Sequence, residues 1–237
     1  MIDTHCHVLP SVDDGPKSWD LSLELCAKAV ADGVTHIVAT PHCNHLFAYD
    51  RHHCQDKLDE LRERFPSCGF SLGCELMISE KNLAEAARYP ERYTFDQTNL
   101  VLIEFSEFEM PASSTHALSE LISLGLSPII AHPERYPIVQ RNPDLLEEWI
   151  GFGCISAITA PSLLGVGGQI RKKLCELLLK RNLVHIIASD AHDPTRRPPI
   201  LSTARKAAAK IVGEKRAGAF VAGNPRELMK TSEVACT

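Results

Sequence analysis

Three observations predict an α/β protein built as a TIM-like barrel of mostly parallel strands. Short apolar runs rich in β-branched residues alternate with stretches of helical period. The chain of 237 residues suits one large domain, here residues 1–237, since barrels of this length do not split. A residue able to bind metal closes nearly every strand-like run, and the C-terminal strand ends of such a barrel share one face.

The elements follow in order. Seven strands read as Ile2 to His7, His36 to Thr40, Phe70 to Glu75, Leu100 to Phe105, Pro128 to Ala131, Cys154 to Thr159 and His185 to Ser189. That is one fewer than the common eight, so the barrel is expected to be closed or slightly open. Between the strands, Ser18 to Asp32 carries Leu21, Leu25 and Ala29 at helical spacing and ends at Gly33, whose backbone freedom stops a helix. Asn142-Pro143 and Asn224-Pro225-Arg226-Glu227 carry helix-start signals, the second as a capping box. Gln169 to Arg181 places Ile170, Leu174, Leu177 and Leu178 against the barrel, with Gly165 to Gly168 as a flexible entry.

Composition narrows the function classes. A formal net charge of −5 gives no broad basic field, which disfavours nucleic acid as a partner. No apolar run is long enough for membrane insertion. The nine cysteines are odd in number and form no CxxC pair, and no apolar leader opens the chain, so a cytoplasmic protein with free thiols is expected. Nothing in the sequence sets the oligomeric state.

The chemistry starts at Asp3-Thr4-His5-Cys6-His7. Alternate residues of a strand share a face, so His5 and His7 point together and can grip one ion. Asp14, His42, Glu75, Glu104, His132, Asp190 and His192 add further donors. Glu75 stands out because a carboxylate closing an apolar strand needs a partner when buried. Glu107 and Glu109 rival Glu104, and Asp13 rivals Asp14, where Asp13-Asp14-Gly15-Pro16 could be a plain turn. Any one of these histidines alone would be an ordinary hydrogen-bonded loop residue. Together they exceed what one ion uses and indicate two or three bridged divalent ions, Mn, Fe, Co or Zn, suited to hydrolysis of a phosphate ester.

Arg135 and Arg197 could hold a phosphoryl group through their planar forks, with Arg196 competing for the second place and a surface ion pair as the plain alternative for each. Cys175 to Arg181 has the C-x5-R spacing of cysteine-dependent phosphatases, but it lacks the glycines of a phosphate loop and has helical period, which makes Cys175 a packing residue.

With Asp3-Thr-His5-Cys-His7, Asp13-Asp14-Gly15-Pro16, Thr40-Pro41-His42, Ile103-Glu104-Phe105, His132-Pro133-Glu134-Arg135, Asp190-Ala191-His192 and Arg197-Pro198-Pro199, the chain resembles the bacterial PHP-superfamily protein-tyrosine phosphatases of capsule and exopolysaccharide loci. The match runs from residue 1 to about 200. The resemblance implies a PHP-type distorted (βα)7 barrel, a centre of three metal ions, often manganese, and hydrolysis of phosphotyrosine by metal-activated hydroxide. The implied substrate is the tyrosine-phosphorylated tail of a bacterial tyrosine kinase. It also implies one ion on Asp14, His42 and His192, a second on His5, His7, Glu75 and Asp190, and a third on Glu75, Glu104 and His132, with Arg135 and Arg197 on phosphate. The alternatives are a small-molecule phosphoesterase such as a histidinol-phosphate phosphatase, and a non-catalytic metal-binding regulatory barrel.

Overall fold

The computed structural model describes residues 1–96, 98–106 and 114–230. Its strands are β1 (Ile2–Cys6), β2 (His36–Ala39), β3 (His42–Cys43), β4 (Gly69–Leu72), β5 (Glu75–Met77), β6 (Leu100–Glu104), β7 (Ser127–Ala131), β8 (Ile155–Thr159) and β9 (Ile186–Ala188). Helices α1 (Trp19–Ala31), α2 (Arg51–Arg64), α3 (Glu80–Arg88) and α4 (Ser114–Ser123) separate the strands of the first half. The second half carries α5 (Pro137–Arg141), α6 (Asp144–Gly151), α7 (Ala160–Leu164), α8 (Gln169–Lys180), α9 (Ser202–Val212), α10 (Glu214–Gly218) and α11 (Asn224–Lys230).

Among the described residues nine strands occupy seven positions, because β3 extends past the predicted end of the second strand at Thr40 and the predicted strand Phe70 to Glu75 is broken. One interruption falls at Thr40-Pro41 and the other at Gly73-Cys74, which splits the ladders into β1-β2-β4 and β3-β5-β6-β7-β8-β9, all parallel. Pro41 has no N–H to offer, and hydrogen bonds from Gly73 N to Ala39 O (2.7 Å) and from Glu75 N to Pro41 O (3.0 Å) carry the pairing across. The two ends of the succession also meet. His7 N donates to Ala191 O (2.8 Å) and Asp190 N donates to His5 O (2.9 Å), which joins β1 to the segment just after β9. Buried Asp3 strengthens that seam by accepting from Ser189 N (3.0 Å) and Ser189 Oγ (2.5 Å). The ring is therefore a distorted barrel, closed by a few bonds where a regular ladder would otherwise run.

Period-two alternation sorts the core into two layers. Val38, Leu100, Leu102, Ile129, Ile155 and Ile186 point inward with Phe95, while the intervening Ile37, Val101, Ile103, Ile130, Ile158 and Ile187 face the helices. The inward parity then continues into the site. On β2 and β3 it runs Val38, Thr40, His42; on β6 it runs Leu100, Leu102, Glu104; and past β9 it reaches Asp190. At the far end of the barrel, partly buried Leu228 and Met229 of α11 pack against the inner layer.

Several helix faces differ from expectation. On α1 the buried set is Ser22, Leu25, Cys26 and Ala29, and Leu21 is 39% exposed. On α8, Leu174, Cys175, Leu178 and Leu179 are buried, whereas Ile170 is 69% exposed and Leu177 is also exposed. Both helices turn slightly from the stripe that counting hydrophobic residues suggests, because cysteine and serine fit the tight contacts. Buried Cys175 packs as expected. Asn142 Oδ1 accepts from Asp144 N (3.3 Å), but α6 starts one residue later than expected, with Pro143 at its cap position. Asn224 does not cap: its backbone is helical, it continues the helical run from residue 214, and its amide donates to His185 O (2.7 Å).

Gly73 also points inward, and a Cβ built there would lie 2.5 Å from Phe95 Cδ1. Gly73→Ala should therefore lower stability by about 1–3 kcal/mol, read as a reduced urea midpoint. Combining it with Phe95→Leu should cost less than the sum of the two single changes.

Candidate metal centre

The strand ends and the loops that follow them bring all nine predicted donors to one mouth. His5 and His7, two residues apart on one face, place their Nε2 atoms 3.2 Å from each other. Glu75 from β5 sits between the histidines: its Oε2 lies 3.2 Å from His5 Nε2, 3.2 Å from His7 Nε2 and 3.0 Å from His42 Nδ1. Its Oε1 pairs with His132 Nε2 at 2.9 Å. Asp190 Oδ1 closes the inner side, 3.4 Å from His5 Nε2 and 3.6 Å from His7 Nε2. On the outer side, Asp14 Oδ1 is 3.2 Å from His192 Nε2 and 3.5 Å from His42 Nε2. Glu104 approaches His42 and His132 at 3.7 Å each.

Among the described residues, three groups have donor atoms all within 4.8 Å of one another inside the group: His7, Asp14, His42 and His192; His5, His7 and Glu75; and His42, Glu75 and Glu104. The first two overlap the ion sets implied by the resemblance, with His7 joining the outer one. In the third, His42 stands where His132 was expected, although His132 remains bonded to Glu75.

The donors fit a cationic occupant. Glu75 Oε2, Glu104 Oε2, His42 Nδ1 and His192 Nε2 are buried and make no hydrogen bond. Glu75 Oε2 thus has three imidazole nitrogens within 3.2 Å and no well-aligned hydrogen bond to any of them, an arrangement that a cation would satisfy better. Burial and the neighbouring Glu75 charge push the Glu104 carboxyl up to about 9, so two ionised carboxylates are not tolerated there without positive charge. Burial, reinforced by His7, brings His192 down to about 4, leaving a neutral ring with an available lone pair. These nitrogen and oxygen donors suit borderline divalent ions.

Asp13 and Asp14, adjacent in sequence, take different roles. Asp13 is buried and accepts from His7 Nδ1 (2.7 Å), Gly15 N (2.9 Å) and His42 N (3.1 Å). Burial opposes its charge, yet the His7 contact holds its carboxyl well below the usual range. The same pairing, together with Glu75, outweighs burial at His7 and keeps that imidazole's pKa well above the ordinary value. Asp13 therefore orients the His7 imidazole, while half-exposed Asp14 places its oxygen beside His192 and His42. Gly15 is required for this turn, because a Cβ would stand 2.5 Å from His7 O.

The arginines also separate. Arg197 donates to Asp190 Oδ2 at 2.8 Å and Arg135 makes a short bond to the same oxygen, so both predicted phosphate-binding residues reach the site. Arg196 is exposed and engages Asp193 through its backbone N (2.6 Å). Buried Arg135 Nε has no hydrogen-bond partner. Opposing the penalty of burial, Arg135 leads the charges that hold the Asp190 carboxyl well below its usual range. His132 and Asp190 both adopt left-handed backbone, with φ of 35° and 53°, an unfavourable conformation for these residues that turns each side chain at a strand end. Glu107 and Glu109 lie outside the described residues.

Three supporting residues are not evident from sequence. Asp3 holds the seam, and Glu134 accepts from Thr159 N (3.0 Å) and Oγ1 (2.7 Å) to fix the turn carrying Arg135. Tyr136 donates to Ala131 O (2.8 Å), accepts from Phe105 N (3.0 Å) and lies edge-on to His132. Only Asp3 carries a local signal, the same parity as His5 and His7.

A family model described as capsular polysaccharide synthesis, CpsB/CapC, matches residues 1–230. A CapC protein of Staphylococcus aureus is 41% identical over 206 residues, covering 85% of this chain and 80% of its own length. The tyrosine-protein phosphatase CpsB of Streptococcus pneumoniae is 33% identical over 239 residues, covering 97% and 98% respectively. Among solved structures, one described with YwqE from Bacillus subtilis and CpsB from Streptococcus pneumoniae as unique metal-dependent tyrosine phosphatases aligns with a TM-score of 0.88. It shares 31% identity and covers 97% of this chain and 94% of its own.

A divalent ion entering this cluster must displace the proton of Glu104, whose carboxyl is pushed up to about 9, and compete with the raised proton affinity of His7. Apparent affinity should therefore rise between pH 6 and pH 8, with proton release visible by calorimetry in buffers of different ionisation enthalpy. Asp13→Asn should weaken metal binding by roughly 10- to 100-fold while leaving the fold intact by circular dichroism.

Proposed function

We propose that this chain, which belongs to the CpsB/CapC family of capsular polysaccharide synthesis, is a metal-dependent phosphatase of tyrosine-phosphorylated proteins. The observation that carries the reading is the convergence of nine imidazole and carboxylate groups at one mouth, with the buried Oε2 of Glu75 held within 3.2 Å of three of the imidazoles. Relatives described as tyrosine-protein phosphatases and as metal-dependent support the same chemistry.

The finer reading assigns three divalent ions, with manganese first and Fe, Co or Zn as alternatives, to His5, His7, Asp14, His42, Glu75, Glu104, His132, Asp190 and His192. Such ions polarise a phosphoryl oxygen and lower the pKa of a bound water. The protein's own groups do the rest. Arg135 and Arg197, both donating to Asp190, offer further N–H groups to the non-bridging oxygens of a phosphate. Asp13 holds His7 by its Nδ1 and so directs Nε2 into the cluster. A tyrosine phenolate has a conjugate-acid pKa near 10, far below that of a serine alkoxide, so its departure needs little help from a general acid. This difference favours aryl over alkyl phosphates.

The substrate we assign is the phosphorylated tail of a bacterial tyrosine kinase acting in capsule or exopolysaccharide synthesis, met in the cytoplasm by residues 1–237 working as one domain. Among the described residues no helix is long and apolar enough to cross a membrane.

Purified protein loaded with Mn should hydrolyse phosphotyrosyl peptides, lose activity on chelation and recover it on re-addition of metal. His5→Ala combined with His7→Ala should abolish both bound metal and turnover. Strong preference for histidinol phosphate would overturn the protein-phosphatase reading in favour of small-molecule hydrolysis. Full metal occupancy without any turnover would favour a regulatory barrel.

A further inference from the structure

The loop after β3 holds an aromatic residue at the open side of the donor cluster. The ring of Phe47 lies within 11° of parallel to the His42 imidazole, with centroids 5.9 Å apart. Phe47 is only half-buried, and its neighbour Leu46 is 72% exposed. Neither belongs to the inner or outer core layer.

The loop is built to hold this pair in place. Asn44 Oδ1 accepts from Leu46 N (2.9 Å) and Phe47 N (3.0 Å), and Asn44 N donates to Phe47 O (3.0 Å). That is an Asx-type turn closed at both ends. Two further bonds pin its base, from Tyr49 OH to Gly73 O (3.2 Å) and from Asn82 Nδ2 to Cys43 O (3.3 Å). An apolar lip held by so many polar bonds is preorganised, and a rigid aromatic presented to solvent is well suited to receive another ring.

Its position fits a ring attached to a phosphate. Asp14 and Arg197 are the most exposed members of the cluster, His42 and Glu104 are partly exposed at 13%, and His5, His7 and His132 are sealed on the barrel side. Among the described residues, the partly exposed donors lie on the side where His42 forms one edge and Phe47 flanks His42, which is an approach open to a phosphate ester. We propose that Phe47 is a specificity-determining residue that packs against the phenyl ring of phosphotyrosine and so selects aryl over alkyl phosphate esters, with Leu46 extending the apolar surface. The inference rests on the phosphatase reading above and adds to it the residue that recognises the side chain carrying the phosphate.

The test compares the Mn-loaded full chain with Phe47→Ala, Phe47→Leu and Phe47→Tyr. Substrates are a phosphotyrosyl peptide and a phosphoserine peptide of matched sequence, with phenylphosphonate and inorganic phosphate as competitive inhibitors. Phe47→Ala should lower kcat/KM for the phosphotyrosyl peptide about three- to tenfold, chiefly through KM, the size expected of one aromatic pair. The phenylphosphonate inhibition constant should rise by a similar factor. Bound metal, the phosphate inhibition constant and phosphoserine turnover should be unchanged. Phe47→Tyr should keep the wild-type selectivity and Phe47→Leu should fall between. Equal losses on both peptides, a weaker phosphate inhibition constant or a fall in metal content would show that Phe47 only steadies His42, and would overturn the proposal. So would unchanged phosphotyrosyl kinetics. A wild-type protein inert toward phosphotyrosine would remove the parent reading as well, which distinguishes that failure from the others.

Discussion

A single carboxylate oxygen sets the terms for this molecule. Glu75 Oε2 is buried within 3.2 Å of nitrogens from His5, His7 and His42 and is hydrogen-bonded to none of them. An unbonded carboxylate in the interior is costly, and neighbouring acids raise that cost. The Glu104 carboxyl responds by holding its proton up to about pH 9, and His7 responds by keeping its own. A divalent cation held by these donors would replace both compromises with one set of bonds. The same demand accounts for the left-handed backbone at His132 and Asp190, two strand ends bent from their preferred geometry to complete the cluster.

The fold meets that demand through parity. Residues that point inward along a strand alternate with residues that face the helices, so the last inward position of each strand opens onto the barrel mouth. Along β6 and β9 apolar residues fill the earlier inward positions and the donors Glu104 and Asp190 take the later ones. Breaks at Thr40-Pro41 and Gly73-Cys74 change the ladders without disturbing this order, since His42 and Glu75 remain register partners. Asp3 and Asp13 work one layer behind. The first ties β1 to the segment carrying Asp190, and the second sets the orientation of His7. The segments that close the barrel and those that carry the candidate donors are thus the same.

What the sequence reveals depends on the range of the physics involved. His5 and His7 are legible because strand parity is local, and Glu75 because an acid that ends an apolar strand is buried with it and must find a partner there. Seven strand positions follow from apolar runs alone, although their exact ends and two interruptions do not. Asp13 and Asp14 have the same chemistry, and only the turn at Gly15 decides which one faces His7. Arg196 and Arg197 differ likewise by one backbone step. The helix faces are harder to read for another reason. Leu21, Ile170 and Leu177 look like core residues by hydrophobicity, yet Ser22, Cys26 and Cys175 occupy the tight interior positions, because packing selects volume and shape as much as polarity. The Asn224 signal is local and real, but a longer helical run absorbs it, and its amide finds His185 instead.

Depth within the site divides labour between its residues. The innermost histidines are sealed beneath the strand ends, so they can respond to the ions but not to the remainder of a substrate. Asp14 and Arg197 stand partly in solvent, and His42 bridges the two zones, with Nδ1 toward Glu75 and Nε2 toward Asp14. Changes in the loops around the outer groups can therefore alter what is recognised without rebuilding the ion cage. Changes to inner donors cannot do the same, because each donor is tied by register and hydrogen bonds to barrel closure. A common hydrolytic core can thus coexist with different substrate preferences, and selectivity is expected to reside in the βα loops at the mouth, beyond the reach of the inner donors.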